Sequence, residues 1–483
     1  MKATKYNNYW IAFEFASKEE RAMLESATSF LLPDARFSPA FNSGLWDGTK
    51  RFLTAGDKLP AGLFKSIFPE HPLMTGVYPG YQFNDIPLFR RNPQFDRRDY
   101  QLEAINIIFK HKRGIIAAVV GAGKTLISAA TISKHLEMNP NGKVLFVCYD
   151  KNILEQTIKN FKAYGLFVSA FGGGVKSLEG QVIVATIQSL ARIQQPAKVL
   201  KDITMCFCDE SHHSKSRTSK DVLTKLKNCD YYIGLTATPP KPGLDLAELM
   251  CVLGPIIFEY GFTMAADAGS IVPVKCFFLK TPFSFDTKAA VVGRKNYKYI
   301  WDGGIKDSEV RNKTIATILS SLEKLIQSPT LVMVDRTEHG AKIGEACRAH
   351  ADLKFLEMYG EDSVIVRDIK RDILMKNDID VIISTVNKEG VDFKISPVVA
   401  LNAAGRKSFV NQIQFLGRIV RKNDTFKSFR AYIDFIDTCH PKLKDHSEER
   451  IQACTDIGAE IVIVENTTDL LTEIINYYKV CLQ

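Results

Sequence analysis

Three groups of residues have the types and spacing that phosphate chemistry needs. The first lies in Ile115-Ile116-Ala117-Ala118-Val119-Val120-Gly121-Ala122-Gly123-Lys124-Thr125. The apolar run reads as a buried strand, and the pattern Leu126, Ile127, Ala129, Ala130 reads as a helix. Between them Gly121, Ala122 and Gly123 let backbone N–H groups face a phosphate chain at a helix N-terminus, within reach of Lys124 and the Thr125 hydroxyl. The second group is Asp209-Glu210-Ser211-His212, emerging from the apolar run Met205-Cys206-Phe207-Cys208. Asp209 suits a contact to Mg²⁺ alongside Thr125, and Glu210 suits a base that orients or deprotonates water. The third is Gln414-Phe415-Leu416-Gly417-Arg418-Ile419-Val420-Arg421, where Arg418 and Arg421 share a predicted helical face and can stabilise transferring phosphate charge. Together these imply ATP and Mg²⁺ as ligands, with Lys124, Asp209, Glu210, Arg418 and Arg421 as the catalytic set.

Further residues join them by position. Arg98-Asp99-Tyr100-Gln101 precedes the helix before the phosphate-loop strand. Gln101 offers the donor and acceptor that an adenine edge needs, and Phe95 or Tyr100 could stack on the ring. Thr236-Ala237-Thr238-Pro239 follows the run Tyr231 to Leu235 and suits a coupling turn. Ser384 to Asp392 follows another apolar run, and its turn could touch ATP through Gly390 and Asp392 and a backbone phosphate through Thr385. Cys206, Cys208, His212 and His213 invite a zinc reading, but the two cysteines share a strand face that belongs to a core.

The elements that must position these residues alternate between β-rich and helical runs, which indicates parallel sheets covered by helices with ligands at the strands' carboxyl ends. Strands are predicted at 115–120, 143–149, 181–185, 203–208 and 231–235, with helices at 124–138 and 151–163. A Gly, Pro and Ala-rich passage at 254–275 breaks the pattern. It resumes with helices at 308–326, 338–349, 363–376 and 409–417, and strands at 330–334, 354–358, 379–383, 398–401 and 429–436. The predicted fold class is α/β, with two RecA-like parallel-sheet domains in tandem after a small α+β N-terminal domain. The boundaries are 1–90, 91–262 and 263–483, with an inserted loop near 281–310. The second sheet domain has no phosphate loop of its own, which suggests that it supplies the missing cationic group.

The first 90 residues interleave basic and aromatic side chains, notably from Arg36 to Phe52. Phe37, Phe41 and Trp46 suit either base stacking or the small core of a small domain. Lys50, Arg51 and Lys65 are the better nucleic-acid candidates. Residues 281–310 hold Arg294, Lys295, Tyr297 and Trp301, readable as a loop entering a DNA junction or as a solvated insertion. The chain has 63 basic and 54 acidic residues, a formal charge of +9 that suits a polyanionic partner. Its 10 cysteines are scattered, which fits a reducing cytoplasm. No apolar stretch approaches the roughly 20 residues that span a bilayer, so no membrane role is expected.

In order along the chain, these segments resemble motifs of the superfamily 2 helicases. Arg98 to Gln101 is similar to the Q-type motif, Ala118 to Thr125 to motif I, Asp209 to His212 to motif II, Thr236 to Pro239 to motif III, Thr385 to Asp392 to motif V and Gln414 to Arg421 to motif VI. Ala118 replaces the usual glycine, as in the AxxGxGKT form of helicase motors. Motif Ia departs further: Tyr149-Asp150 replaces Pro-Thr, while Gln156, Thr186 and Gln188 could still track a strand. The N-terminal module, the run Gly172-Gly173-Gly174 and the compact second domain resemble the UvsW-type phage branch-migration helicases. That resemblance implies an ATP-dependent DNA helicase acting on forks and four-way junctions in recombination, replication or repair. It further implies a monomer in the host cell cytoplasm, with phage or host replication and recombination proteins as candidate partners. An RNA helicase, a restriction-type DNA translocase subunit and a non-motor ATP-binding scaffold are the alternatives.

Overall fold

The computed structural model describes residues 1–74, 82–95, 97–281, 297–326, 328–351, 353–360, 362, 364–376, 379–385, 397–422 and 426–482. They fall into two units, residues 1–118 with 123–260, and residues 119–122 with 261–483. Each is built on a parallel sheet whose strands are nearly continuous apolar runs, as burial on both faces demands.

The first unit begins with β1 (Lys2–Lys5), β2 (Trp10–Glu14), β3 (Ser29–Leu31), β4 (Thr49–Arg51) and β5 (Lys58–Pro60), which form a β1-β2-β5 sheet and a β3-β4 pair. Its main strands are β6 (Arg113–Ala118), β7 (Lys143–Cys148), β8 (Val168–Gly172), β9 (Val175–Lys176), β10 (Val182–Thr186), β11 (Ile203–Cys208), β12 (Tyr231–Thr236) and β13 (Ile256–Tyr260). They are ordered β13-β6-β12-β11-β7-β10-β8-β9, and only β9 runs antiparallel to its neighbour. β13 lies inside the passage expected to break the pattern. Gly254, at φ +92°, and Pro255 punctuate the chain so closely before it that the short apolar run is hard to see, yet it pairs in parallel with β6.

The N-terminal residues are built into this unit. Helix Ala61–Ile67 packs so tightly on helix Leu244–Leu253 that a Cβ on Gly62 would lie 2.0 Å from the Met250 carbonyl. Asn8 Nδ2 donates to the carbonyls of Lys227 (2.6 Å) and Cys229 (2.8 Å), and the Asn8 carbonyl accepts from Arg113 (2.6 Å).

The second unit contains β14 (Lys275–Thr281), β15 (Thr330–Val334), β16 (Phe355–Met358), β17 (Val381–Thr385), β18 (Val399–Asn402), β19 (Ala431–Asp437) and β20 (Glu460–Val464), ordered β16-β17-β15-β18-β19-β14-β20 and all parallel. Helices Glu309–Leu325, Thr337–Ala351, Val364–Lys376, Phe409–Ile419, Pro441–Asp456 and Thr467–Leu482 accompany them. Both sheet domains are thus RecA-like α/β layers. β19 carries a buried ionic network. Arg450 Nε donates to Asp434 (2.9 Å), Arg311 Nε donates to Asp437 (3.0 Å), and Asn402 and Tyr432 donate to Asp434 at 2.9 and 2.7 Å. Burial opposes the Arg450 charge, but Asp434 and Asp437 outweigh it and hold its pKa above the ordinary value. Among the described residues, no helix is long and apolar enough to cross a membrane.

Candidate nucleotide-binding and hydrolysis site

β6 delivers the phosphate loop, and helix Lys124–Met138 starts directly after it. Gly121 and Gly123 adopt φ of +89° and +77°, left-handed values that L side chains rarely take, so the turn depends on both glycines. Gly123 sits at the helix's N-cap position, so the loop runs directly into a helix N-terminus, the end of a helix that favours a phosphate. Lys124 Nζ donates to the Ala118 carbonyl at 2.8 Å. Its sheltered position lowers its pKa, while Glu210 and Asp209 raise it, so the two carboxylates of β11 face the loop lysine electrostatically.

Asp209 continues β11, its N–H donating to the Val147 carbonyl (3.0 Å), and its own Oδ1 accepts from the Glu210 N–H (3.1 Å). Glu210 takes φ +41°, a strained conformation for a non-glycine residue. His212 Nδ1 lies 3.4 Å from Glu210 Oε2 and 3.3 Å from Thr236 Oγ1, and Thr236 Oγ1 also accepts from the Thr238 N–H at 3.0 Å. His212 thereby brings the Asp-Glu-Ser-His run and the Thr-Ala-Thr turn into contact. Cys206 and Cys208 are fully buried in β11, as a core strand requires. His212 was visible only as part of a motif, and its bridging role comes from β11 and β12 being neighbours.

Gln101 is buried beside the loop. Its Oε1 accepts from the Arg98 N–H (3.3 Å), and a Cβ on Gly123 would lie 2.7 Å from its Nε2. Tyr100 stacks on Tyr260 with centroids 3.8 Å apart, and Phe95 meets Tyr164 edge-on. Asp150 caps helix Lys151–Ala163 by accepting from the Asn152 N–H (2.7 Å), which accounts for the acidic residue at the motif Ia position. Thr186 is buried and caps the next short helix through Ser189, Gln156 is half-buried, and Gln188 is exposed.

In the second unit, Gln414 and Arg418 are half-buried on helix Phe409–Ile419. Arg421 is exposed and lies two residues beyond the helix end, so it does not share the helical face expected for it. Thr385 ends β17, its Oγ1 accepting from the Gly360 N–H at 3.2 Å. Gly390, Asp392, Arg294 and Lys295 lie outside the described residues.

Two nucleic-acid candidates need correction. Lys65 is 1% exposed and donates to the Met74 carbonyl (2.7 Å), and burial lowers its pKa to about 8, so it is an interior residue. Trp301 is 0% exposed, its Nε1 donates to the Ala404 carbonyl (2.8 Å), and Arg336 and Arg406 lie over its ring. Neighbouring Tyr297 is half-buried against His446 and Arg406. Lys50 pairs with Glu248 in a half-buried contact, and Arg51 pairs with Asp47 at the surface. Phe41 and Trp46 are half-buried and pack edge to face, whereas Phe37 is 69% exposed beneath the Arg36 guanidinium.

The chain is similar to several known proteins. A family profile described as "Type III restriction enzyme, res subunit" matches residues 94–241. The ATP-dependent DNA helicase UvsW of Enterobacteria phage T4 is 25% identical over 453 residues, covering 87% of this chain and 88% of the relative. Among solved structures, the ATP-dependent Type ISP restriction-modification enzyme LlaBIII bound to DNA aligns with TM-score 0.59 at 16% identity, over 80% of this chain and 32% of that one. S. cerevisiae Dbp5 bound to RNA and ADP BeF3 aligns with TM-score 0.56 at 14% identity, over 82% and 96%. At those identities the two structures speak to the fold. Given the ordered motifs, the two RecA-like sheets and the likeness to UvsW along most of both chains, the protein is an ATPase of the helicase type, similar to the UvsW helicase.

Proposed function

We propose that the protein is an ATP-driven DNA translocase that remodels branched DNA such as forks and four-way junctions, in recombination, replication or repair. One observation carries the hydrolytic part: Lys124, Asp209 and Glu210 interact at the end of a phosphate-loop sheet, with His212 tying Glu210 to Thr236. A scaffold that only held ATP would need no carboxylate fixed in a strained conformation beside a coupling turn. The choice of DNA is supported by the likeness to a protein named as a DNA helicase along most of both chains.

In this reading the N–H groups of Gly121 to Thr125 and the Lys124 ammonium hold the triphosphate, and Gln101 with Arg98 reads the adenine. Thr125 and Asp209 would hold Mg²⁺, whose charge offsets that developing on the phosphate. Glu210 orients and deprotonates the attacking water, and Arg418 and Arg421 act as arginine fingers. Gln188, Gln156 and Thr385 contact the nucleic-acid backbone, so binding weakens as salt rises.

The test is ATP hydrolysis by the full chain with single-stranded DNA, duplex DNA, a four-way DNA junction or RNA. Strongest activation by the junction is expected. Preferential activation by RNA overturns the choice of DNA, and equal activation by duplex and junction overturns the branched-substrate part.

A further inference from the structure

We propose that Tyr149 is a positioning residue that transmits nucleic-acid occupancy at the carboxyl ends of β7 and β10 to the carboxylate of Glu210. The inference rests on the motor reading above. Tyr149 follows the last residue of β7, at a position where the superfamily pattern has a proline, a residue with neither N–H nor hydroxyl.

The two halves of Tyr149 face two different groups. Its main-chain carbonyl accepts from Nε2 of the exposed Gln188 at 3.3 Å, and the next residue, Asp150, starts helix Lys151–Ala163. Its hydroxyl runs inward to Ser214 Oγ (2.8 Å) and Ser219 Oγ (3.0 Å), both fully buried. Ser216 Oγ extends the network to Ser219 at 2.8 Å. Burial pushes the phenol pKa up, so the hydroxyl keeps its proton across the working pH range and remains a donor.

Ser214 belongs to the short 3-10 turn Ser211–Lys215 that directly follows Glu210. The His213 N–H of that turn donates to the Glu210 carbonyl (3.1 Å), and the His213 ring lies 5.1 Å from that of Tyr149 and 4.2 Å from that of His212. Glu210, at φ +41°, holds its conformation only because the residues after it are fixed, and the Tyr149 hydroxyl is one of the groups that fix them. When the Gln188 edge is engaged, a displacement of the Tyr149 main chain is passed by a buried hydroxyl network to the turn that aims the catalytic carboxylate. A buried tyrosine hydroxyl needs partners in any case; what sets Tyr149 apart is that its partner Ser214 lies in the turn after Glu210 while its carbonyl holds Gln188.

The test compares ATP hydrolysis by the parent chain, Tyr149→Phe and Ser214→Ala, each with and without a four-way DNA junction. The quantity read is the ratio of stimulated to basal turnover at saturating ATP and DNA. Loss of folded protein lowers both rates together and leaves this ratio unchanged, so the ratio separates coupling from stability. We expect it to fall roughly five- to tenfold in each variant, the scale of one net hydrogen bond, and the double variant to fall no further than either single one. An unchanged ratio in Tyr149→Phe overturns the coupling role while leaving the motor reading intact. A parent chain that no nucleic acid activates overturns both.

Discussion

At the end of β11, Asp209 and Glu210 are half-buried, share one lysine, and are followed by a strained backbone turn. On β19, Asp434 and Asp437 are 0% and 1% exposed and are paired with Arg450 and Arg311, with Asn402 and Tyr432 also donating to Asp434. Both sheets carry a pair of acidic residues on or just after one strand, yet one pair faces the phosphate-loop lysine and the other is paired with buried arginines. The position that a parallel sheet favours for chemistry is therefore only an opportunity. Whether it is taken depends on the cations that neighbouring helices bring.

In the second unit, Arg421 gives the largest expected effect. Arg421→Ala should lower nucleic-acid-stimulated turnover by roughly 10³-fold with little change in melting temperature, since fingers of this kind are worth that much in related phosphoryl transfer. Unfolding of the variant in a thermal melt would make Arg421 part of the structural network instead. Next in size, Asp434→Ala leaves the buried Arg450 guanidinium without its main partner and should destabilise the second unit by about 3–5 kcal/mol, measured by denaturant unfolding. A loss below about 1 kcal/mol would mean that water reaches the site and that the contrast with β11 is one of degree.

The smallest effect concerns Lys65, buried in the first unit with its pKa lowered to about 8. The unfolded chain holds this proton up to about pH 10.4 and the folded chain releases it near pH 8, so between those values the unfolded state binds more protons and stability rises with pH. The parent should therefore gain stability relative to Lys65→Met between about pH 8 and pH 10.4. A constant difference over that window would show that Lys65 is solvated.

Elements whose signal is local were legible in the sequence. Helix Lys151–Ala163 and strand Ile203–Cys208 fall where periodicity and apolar runs put them. The phosphate loop, the Asp-Glu pair and the Thr-Ala-Thr turn were likewise visible as motifs, and the structure brings them to one end of one sheet. What stayed hidden depends on partners distant in sequence. Lys65 and Trp301 look like surface residues because of their charged or loop-like surroundings, yet they are buried by Met74 and Ala404. Asp434 and Asp437 sit in a run that reads as an ordinary strand, Ala431–Asp437, and nothing nearby announces Arg311 or Arg450. The contact between His212 and Thr236 follows from the pairing of β11 with β12, which a motif alone does not encode.

The contrast between the two strand ends is tested most directly by measuring turnover and unfolding side by side for Glu210→Gln and Asp437→Asn. Glu210→Gln should bind ATP with near-parental affinity and melt close to the parent while its turnover falls by roughly 10²- to 10⁴-fold, the range for a positioned general base. Asp437→Asn should melt well below the parent and keep near-parental turnover per folded molecule. Near-normal hydrolysis by Glu210→Gln, or a catalytic loss without destabilisation in Asp437→Asn, would contradict the division of labour described for the two sheets.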